Sequence, residues 1–81
     1  MIDAMELYRI LHRKPFQPFR VYLSDGASYD IRYPRNNVVG MDFFVIGVPS
    51  LEDPEFVADR TIDISLERIE RVEDLGQPVP S

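Results

Sequence analysis

Cysteine is absent from this chain of 81 residues, and histidine occurs once, as His12. Without cysteine there is no disulfide and no thiolate zinc site, which fits a reducing cytoplasm. A serine nucleophile would have only His12 as its base, and no catalytic set accompanies it. We therefore expect that the protein is not an enzyme and that His12 is an exposed residue near a helix end.

Long apolar runs are also missing, because none approaches the roughly 20 residues that span a bilayer. The first ten residues, MIDAMELYRI, are acidic, whereas a signal peptide begins with basic residues. These two features lead us to expect a soluble, cytoplasmic protein with no membrane contact.

Positive charge is scarce, and the net charge is −5. Residues 52–81 hold nine acidic residues and only three arginines. A negative chain repels phosphate, which weighs against general nucleic-acid binding. The uneven charge also permits head-to-tail contact between copies.

The four glycines lie too far apart for a phosphate-binding loop or a dinucleotide motif. An acidic loop with Glu52, Asp53 and Glu55 offers oxygen ligands of the kind that calcium prefers. However, it lacks the spacing and the glycine of an EF-hand, and a solvated loop is the simpler interpretation. We expect no cofactor and no metal.

The pattern of residues 3–13 predicts a helix. Asp3 is suited to cap its N-terminus and Glu6 follows three residues later, as in a capping box. Pro15 ends the helix. The apolar stripe at helical spacing consists of Ala4, Leu7, Tyr8 and Leu11.

The stretch KPFQPFRVYLSDG, residues 14–26, predicts an extended connector, a strand and a turn. Apolar residues alternate from Phe19 to Leu23, which is the period of a half-buried strand. Asp25-Gly26 is a hairpin turn signal, and an alternating return strand follows it.

The most apolar segment is 38–48, VVGMDFFVIGV, which is one strand or two strands joined by a turn at 40–42. Its run 43–46 is apolar on both sides, so both faces need cover, the second one from the N-terminal helix or from another subunit. Later segments predict a strand at 56–64, a short helical turn at 65–68 and a strand at 69–73. We expect one domain over residues 1–75 and a disordered tail at 76–81.

This order predicts a mostly β, small α+β fold in which an N-terminal helix precedes a five-stranded, strongly bent antiparallel sheet that closes into a barrel. With FRVYLSDG first and IDISLERIERVE last, the chain resembles the Sm-like fold of the Sm and Hfq proteins, a small barrel of the SH3-like kind. The resemblance implies subunits that pair edge to edge into rings. The resemblance does not extend to RNA-binding residues. The Sm pattern has an aspartate followed three residues later by Met-Asn, whereas here Met41 precedes Asp42 and no asparagine follows. The Sm pattern also has Arg-Gly in a late loop, whereas here Arg60 is followed by Thr61.

The chain is more closely similar to a family of short uncharacterised bacterial proteins. These share the pattern Pro-Phe-x-Pro-Phe-Arg-hydrophobic-x-Leu-Ser-Asp-Gly and a later Ile-Ser-Leu-x-x-Ile stretch, both of which occur here. This resemblance implies no known activity.

Two functional hypotheses follow. The first is a non-enzymatic, homo-oligomeric interaction or assembly module, whose interface residues we predict as Phe43, Phe44, Ile62 and Ile64. The alternative is an RNA-binding Sm-like ring, or a surface for a protein partner, with contacts at Arg20, Tyr22, Arg32 and Arg35. Arginine with tyrosine is typical of contact surfaces. Simple cross-strand pairing is the favoured interpretation of these residues.

Overall fold

The computed structural model describes residues 2–54 and 57–76. Within these ranges the chain is a small, mostly β, α+β protein with one N-terminal helix and six strands in two antiparallel sheets. No helix of these residues is long and apolar enough to cross a membrane.

Helix α1 spans Ala4–His12, one residue shorter at each end than predicted. Asp3 is the N-cap, and its carboxylate accepts a hydrogen bond of 2.8 Å from the backbone N–H of Glu6. This bond satisfies one of the N–H groups that the first turn of a helix leaves without a partner. Of the predicted apolar stripe, Leu7 and Leu11 are buried and Ala4 packs against the core, whereas Tyr8 is exposed.

The six strands are β1 (Phe19–Leu23), β2 (Ser28–Ile31), β3 (Asn37–Val39), β4 (Phe43–Pro49), β5 (Ala58–Ser65) and β6 (Ile69–Asp74). The first sheet has the order β2-β1-β6 and the second has the order β3-β4-β5. All pairs are antiparallel.

The predicted hairpin between β1 and β2 is confirmed. Gly26 has a φ of 93°, a left-handed conformation that glycine adopts without steric cost. Asp25 supports the turn because its carboxylate accepts a hydrogen bond of 2.9 Å from the N–H of Ala27. The aspartate and the glycine of the signal therefore have separate roles in the turn.

The apolar segment 38–48 belongs to two strands, β3 and β4, which are joined by a turn at Gly40, Met41 and Asp42. The N–H of Gly40 donates a hydrogen bond of 2.8 Å to the carbonyl oxygen of Phe43. The alternative that the sequence left open is thereby decided in favour of two strands.

The prediction of a five-stranded, closed barrel is wrong. The described residues form two sheets of three strands each, without a closed barrel among them. The chain passes from one sheet to the other through short 3-10 helices at Pro34–Asn36 and Leu66–Arg68. Pro34 has no N–H to donate to a strand ladder, so the pairing of β2 ends before it. The second 3-10 helix confirms the short helical turn predicted there.

One hydrophobic core joins the helix and both sheets. Its fully buried members include Phe19 from the first sheet, Phe44 from the second, and Leu7 from the helix. The helix therefore covers the face that the two sheets share. The complete core is Leu7, Leu11, Phe19, Val21, Leu23, Ile31, Phe44, Ile46, Ile64, Leu66 and Ile69.

Three sequence predictions fall wholly or partly outside the described residues. They are the start of the 56–64 strand at Phe56, the Glu55 member of the acidic loop, and the tail 76–81 apart from Gly76.

Candidate interaction surface

Strand β4 is apolar on both of its faces. Phe44 and Ile46 point into the core, and Phe44 is 0% exposed. Phe43 and Val45 alternate with them and therefore face outward. Phe43 is 42% exposed. The outer face of β4 is thus apolar without being fully covered.

The exposed apolar residues Val38, Met41 and Phe43 lie together around the β3–β4 turn, and we call them the β3–β4 patch. Val38 is 58% exposed and lies directly opposite Val45. Phe43 precedes Val45 by two residues and is therefore the diagonal neighbour of Val38 on the adjacent strand. At that distance an aromatic ring such as that of Phe43 can reach the side chain of Val38. Met41 extends the patch at the turn and is 90% exposed.

The N-terminal helix leaves Val38, Met41 and Phe43 exposed, although Ala4 at its start lines one cavity with Met41. The helix contributes Leu7 and Leu11 to the core that also contains Phe44. The sequence indicated that both faces of β4 need to be covered. The helix helps to cover the inner face, and no described residue of the chain fully covers the outer face.

The four predicted interface residues are placed differently from one another. Phe43 lies in the β3–β4 patch. Phe44 and Ile64 pair across β4 and β5 and are buried in the core, while Ile62 is half-buried and packs against the core. Core side chains such as Phe44 and Ile64 cannot contact a second copy while the chain stays folded, and Phe43 is the most exposed of the four predicted interface residues.

The arginine face that was predicted as a contact surface lies on the outer side of the first sheet. Arg20 is opposite Asp30, and its Nε and Nη2 atoms lie 2.5 and 3.2 Å from the two carboxylate oxygens. Arg32 Nη2 is 3.5 Å from the same carboxylate. The hydrogen bond from Arg20 holds the pKa of Asp30 below its ordinary value and raises the pKa of Arg20. Both arginines therefore share one carboxylate.

Tyr22 continues this face toward β6. The guanidinium of Arg71 stacks on the Tyr22 ring, 3.8 Å from its centroid, in a cation–π contact. Arg71 Nε also donates a hydrogen bond of 2.8 Å to Glu73, which raises the pKa of Arg71 and lowers that of Glu73. Arg20 with Asp30 and Tyr22 with Arg71 are cross-strand pairs, as the interpretation favoured by the sequence has them, whereas Arg32 with Asp30 and Arg71 with Glu73 are pairs two residues apart along the chain.

Arg35 lies apart from Arg20, Tyr22 and Arg32. It belongs to the 3-10 helix after β2 and lines a groove next to the end of α1. The structure therefore brings together three of the four predicted contact residues and places the fourth elsewhere.

This groove has a volume of about 250 Å³ and was not predicted from the sequence. Its apolar lining comes from Leu11, Phe16 and Pro34. Its basic lining comes from His12, Arg13, Lys14 and Arg35. The sequence shows the run His12-Arg13-Lys14, but its meeting with residues 34 and 35 depends on tertiary structure. Among the described residues that line the groove there is no carboxylate, although Arg13 pairs with Asp74 next to it.

Among the residues that the structure describes, no three His, Asp or Glu side chains are placed to hold a metal ion. Comparisons of the chain with protein-family models, with curated proteins and with solved structures found no match. Any function assigned to this chain rests on the geometry of its own surfaces.

Proposed function

We propose that this protein is a non-enzymatic interaction module that self-associates through the β3–β4 patch. The observation that carries the proposal is the exposure of Val38 and Phe43 on the outer face of a sheet whose inner face is already filled, with Met41 exposed in the turn between their strands.

The energetics favour covering this patch. Removing a large apolar side chain from water is worth about 1.5–3 kcal/mol when its burial is complete. A domain of this size buries only about 60–65% of the surface of its unfolded chain, so it has few other sources of hydrophobic stabilisation. A second copy of the chain has the same apolar patch, so the pairing of two copies would cover both patches at once.

The Sm-like resemblance enters this proposal through the sheet edges. Strands β3 and β5 are the edges of the second sheet, and β5 is eight residues long. An edge strand has unpaired backbone groups that a strand of another copy can bind. Edge pairing beside the patch would give the assembly both hydrogen bonds and apolar burial.

The experiment compares variants that remove the patch with a variant that does not. Val38→Ser and Met41→Gln change exposed side chains and leave the core intact. Val57→Ser is the matched control, because Val57 is exposed, lies outside the patch, and keeps its backbone hydrogen bonds to Asp53 and Ser50. Sedimentation velocity over a range of protein concentrations measures the association constant of each.

We expect Val38→Ser and Met41→Gln each to weaken association by about tenfold, the equivalent of losing roughly 1.4 kcal/mol of apolar contact. Val57→Ser should associate like the unmodified chain. Equal association by all three variants and the unmodified chain would show that the patch is not the interface.

A further inference from the structure

The groove beside α1 combines an apolar floor with a basic rim. Leu11 is buried and Phe16 is half-buried, so the floor is formed by side chains that are already packed. Arg13 is held at the rim by hydrogen bonds from Nη2 to the carbonyl of Gln17, at 3.2 Å, and to Asp74, at 2.5 Å. Lys14 forms no ion pair with any described residue. Such a groove suits an apolar side chain that is accompanied by carboxylates.

The same chain presents a segment with this chemistry. Leu51 is 97% exposed, more than any other large apolar residue that the structure describes. Glu52 and Asp53 follow it, are both exposed, and have no ion pair within the described ranges. The loop is held in place by a hydrogen bond of 3.2 Å from the N–H of Glu52 to Ser50 Oγ and by one of 2.9 Å from the N–H of Val57 to the carbonyl of Asp53. The leucine is therefore presented to solvent by an anchored loop.

We propose that Leu51 of one copy inserts into the groove of a second copy of this chain. Its isobutyl group would cover the floor at Leu11 and Phe16. Glu52 and Asp53 would then lie against the basic rim, with Lys14 as the main partner of Glu52. The two halves of the contact are complementary in charge and in polarity, and Leu51, Glu52, Asp53 and Lys14 have no ion pair or apolar cover among the described residues of their own copy, whereas Arg13 at the rim is already paired with Asp74.

The positions of loop and groove favour a closed pair. Asn36 Nδ2 donates a hydrogen bond of 3.1 Å to the carbonyl of Pro54, so the base of the loop touches the residue next to Arg35. Loop and groove thus lie on one side of the molecule, while Leu51 stays outside its own groove. In a pair related by a two-fold axis, each loop reaches the groove of the other copy, and every contact is made twice.

This inference rests on the proposed self-association, but it concerns residues outside the β3–β4 patch. An experiment can therefore reject the groove contact without rejecting self-association through the β3–β4 patch, and the reverse. A contact with paired charges weakens as salt rises, whereas an apolar patch contact does not.

The test uses the full chain, with sedimentation velocity as the readout. Leu51→Ser should weaken association by about tenfold or more, because it removes an inserted leucine side chain. Lys14→Glu and Glu52→Lys should each weaken it by about three- to tenfold, since each places like charges together. The double variant Lys14→Glu with Glu52→Lys restores opposite charges, and its association should return to within about twofold of the unmodified chain. Circular dichroism confirms that these surface variants stay folded.

Two results would overturn the inference. One is a Leu51→Ser chain that associates like the unmodified protein. The other is a double charge-reversal variant at least as weak as either single variant. If Val38→Ser weakens association and Leu51→Ser does not, the groove contact is rejected and the patch stands. A chain that is monomeric at every concentration rejects both.

Discussion

The ring of Phe43 lies directly on the backbone of Gly40. A side-chain carbon added at Gly40 would lie closer than 3.0 Å to three atoms of that ring. The same two residues are joined by a hydrogen bond of 2.8 Å from the N–H of Gly40 to the carbonyl of Phe43. The glycine therefore sets the position of the exposed ring, and with it the shape of the β3–β4 patch.

Replacing Gly40 with alanine should displace this ring. We expect Gly40→Ala to lower the free energy of unfolding by about 0.5–1.5 kcal/mol, because the exposed ring must rotate away from the new methyl group and leave its preferred rotamer. Urea unfolding followed by circular dichroism measures the change. In a Phe43→Ala background the ring is absent, so the same substitution should cost clearly less. Equal costs in the two backgrounds would show that the ring contact is not the cause.

Asn37 is the buried polar residue that connects β3 to its neighbours. Its Nδ2 donates a hydrogen bond of 2.7 Å to the carbonyl of Tyr33, and its Oδ1 accepts one of 3.3 Å from the N–H of Gly47. Asn37→Ala removes the amide and leaves the carbonyl of Tyr33 and the N–H of Gly47 without this hydrogen-bond partner. The loss should lower the free energy of unfolding by about 1–3 kcal/mol.

Asn36→Ala is the control for this prediction. Asn36 is half-buried and its side chain makes one hydrogen bond, to the carbonyl of Pro54. Denaturant titration should show a smaller loss for Asn36→Ala than for Asn37→Ala. A loss at Asn36 that equals or exceeds the loss at Asn37 would contradict the role given to the buried amide.

The Arg20–Asp30 pair should make stability depend on pH in the acid range. The pKa of folded Asp30 lies below its ordinary value because Arg20 donates to the carboxylate. The pair therefore stabilises the fold fully above the ordinary aspartate pKa of about 3.9, and this contribution is lost as pH falls through the lower, folded pKa.

The measurement is the thermal midpoint of the unmodified chain and of Asp30→Asn between neutral and strongly acid pH. The unmodified chain should be the more stable at neutral pH, and the difference should shrink as the pH falls below about 4. A difference that is constant over the whole range would contradict the stabilising ion pair.

The arginine face should not bind RNA. Arg20 and Arg32 share Asp30, Arg71 pairs with Glu73, and the chain carries a net charge of −5. We expect no change in the fluorescence anisotropy of a labelled single-stranded RNA at low salt, where electrostatic binding is strongest. Binding that is lost in Arg20→Ala and weakened by salt would revive the RNA-binding alternative.

Local signals predicted several parts of this fold correctly. Asp3 with the spacing of Leu7 and Leu11 predicted α1, and Asp25-Gly26 predicted the first turn, because caps and turns depend on residues close in sequence. The count of five strands took residues 38–48 as one strand, whereas the turn at 40–42 divides them into β3 and β4. The single sheet was wrong because the 3-10 helices Pro34–Asn36 and Leu66–Arg68 carry the chain from one sheet to the other.

The candidate surfaces were predicted only in part. Every residue in the run Phe43-Phe44-Val45-Ile46 is apolar. Because no polar residue marks the solvent side of the strand, the sequence does not show which of the four residues face outward. Val38 and Met41 were in the apolar segment, but their exposure depends on the turn between β3 and β4. The groove was missed because its lining joins residues about twenty positions apart.

The most direct test of self-association is the solution mass of the unmodified chain, by light scattering on a sizing column at low and high salt. We predict a mass above that of the 9.4 kDa monomer, which rises with concentration and persists at high salt because the patch is apolar. A monomer at every concentration and at both salt levels would contradict the proposed function.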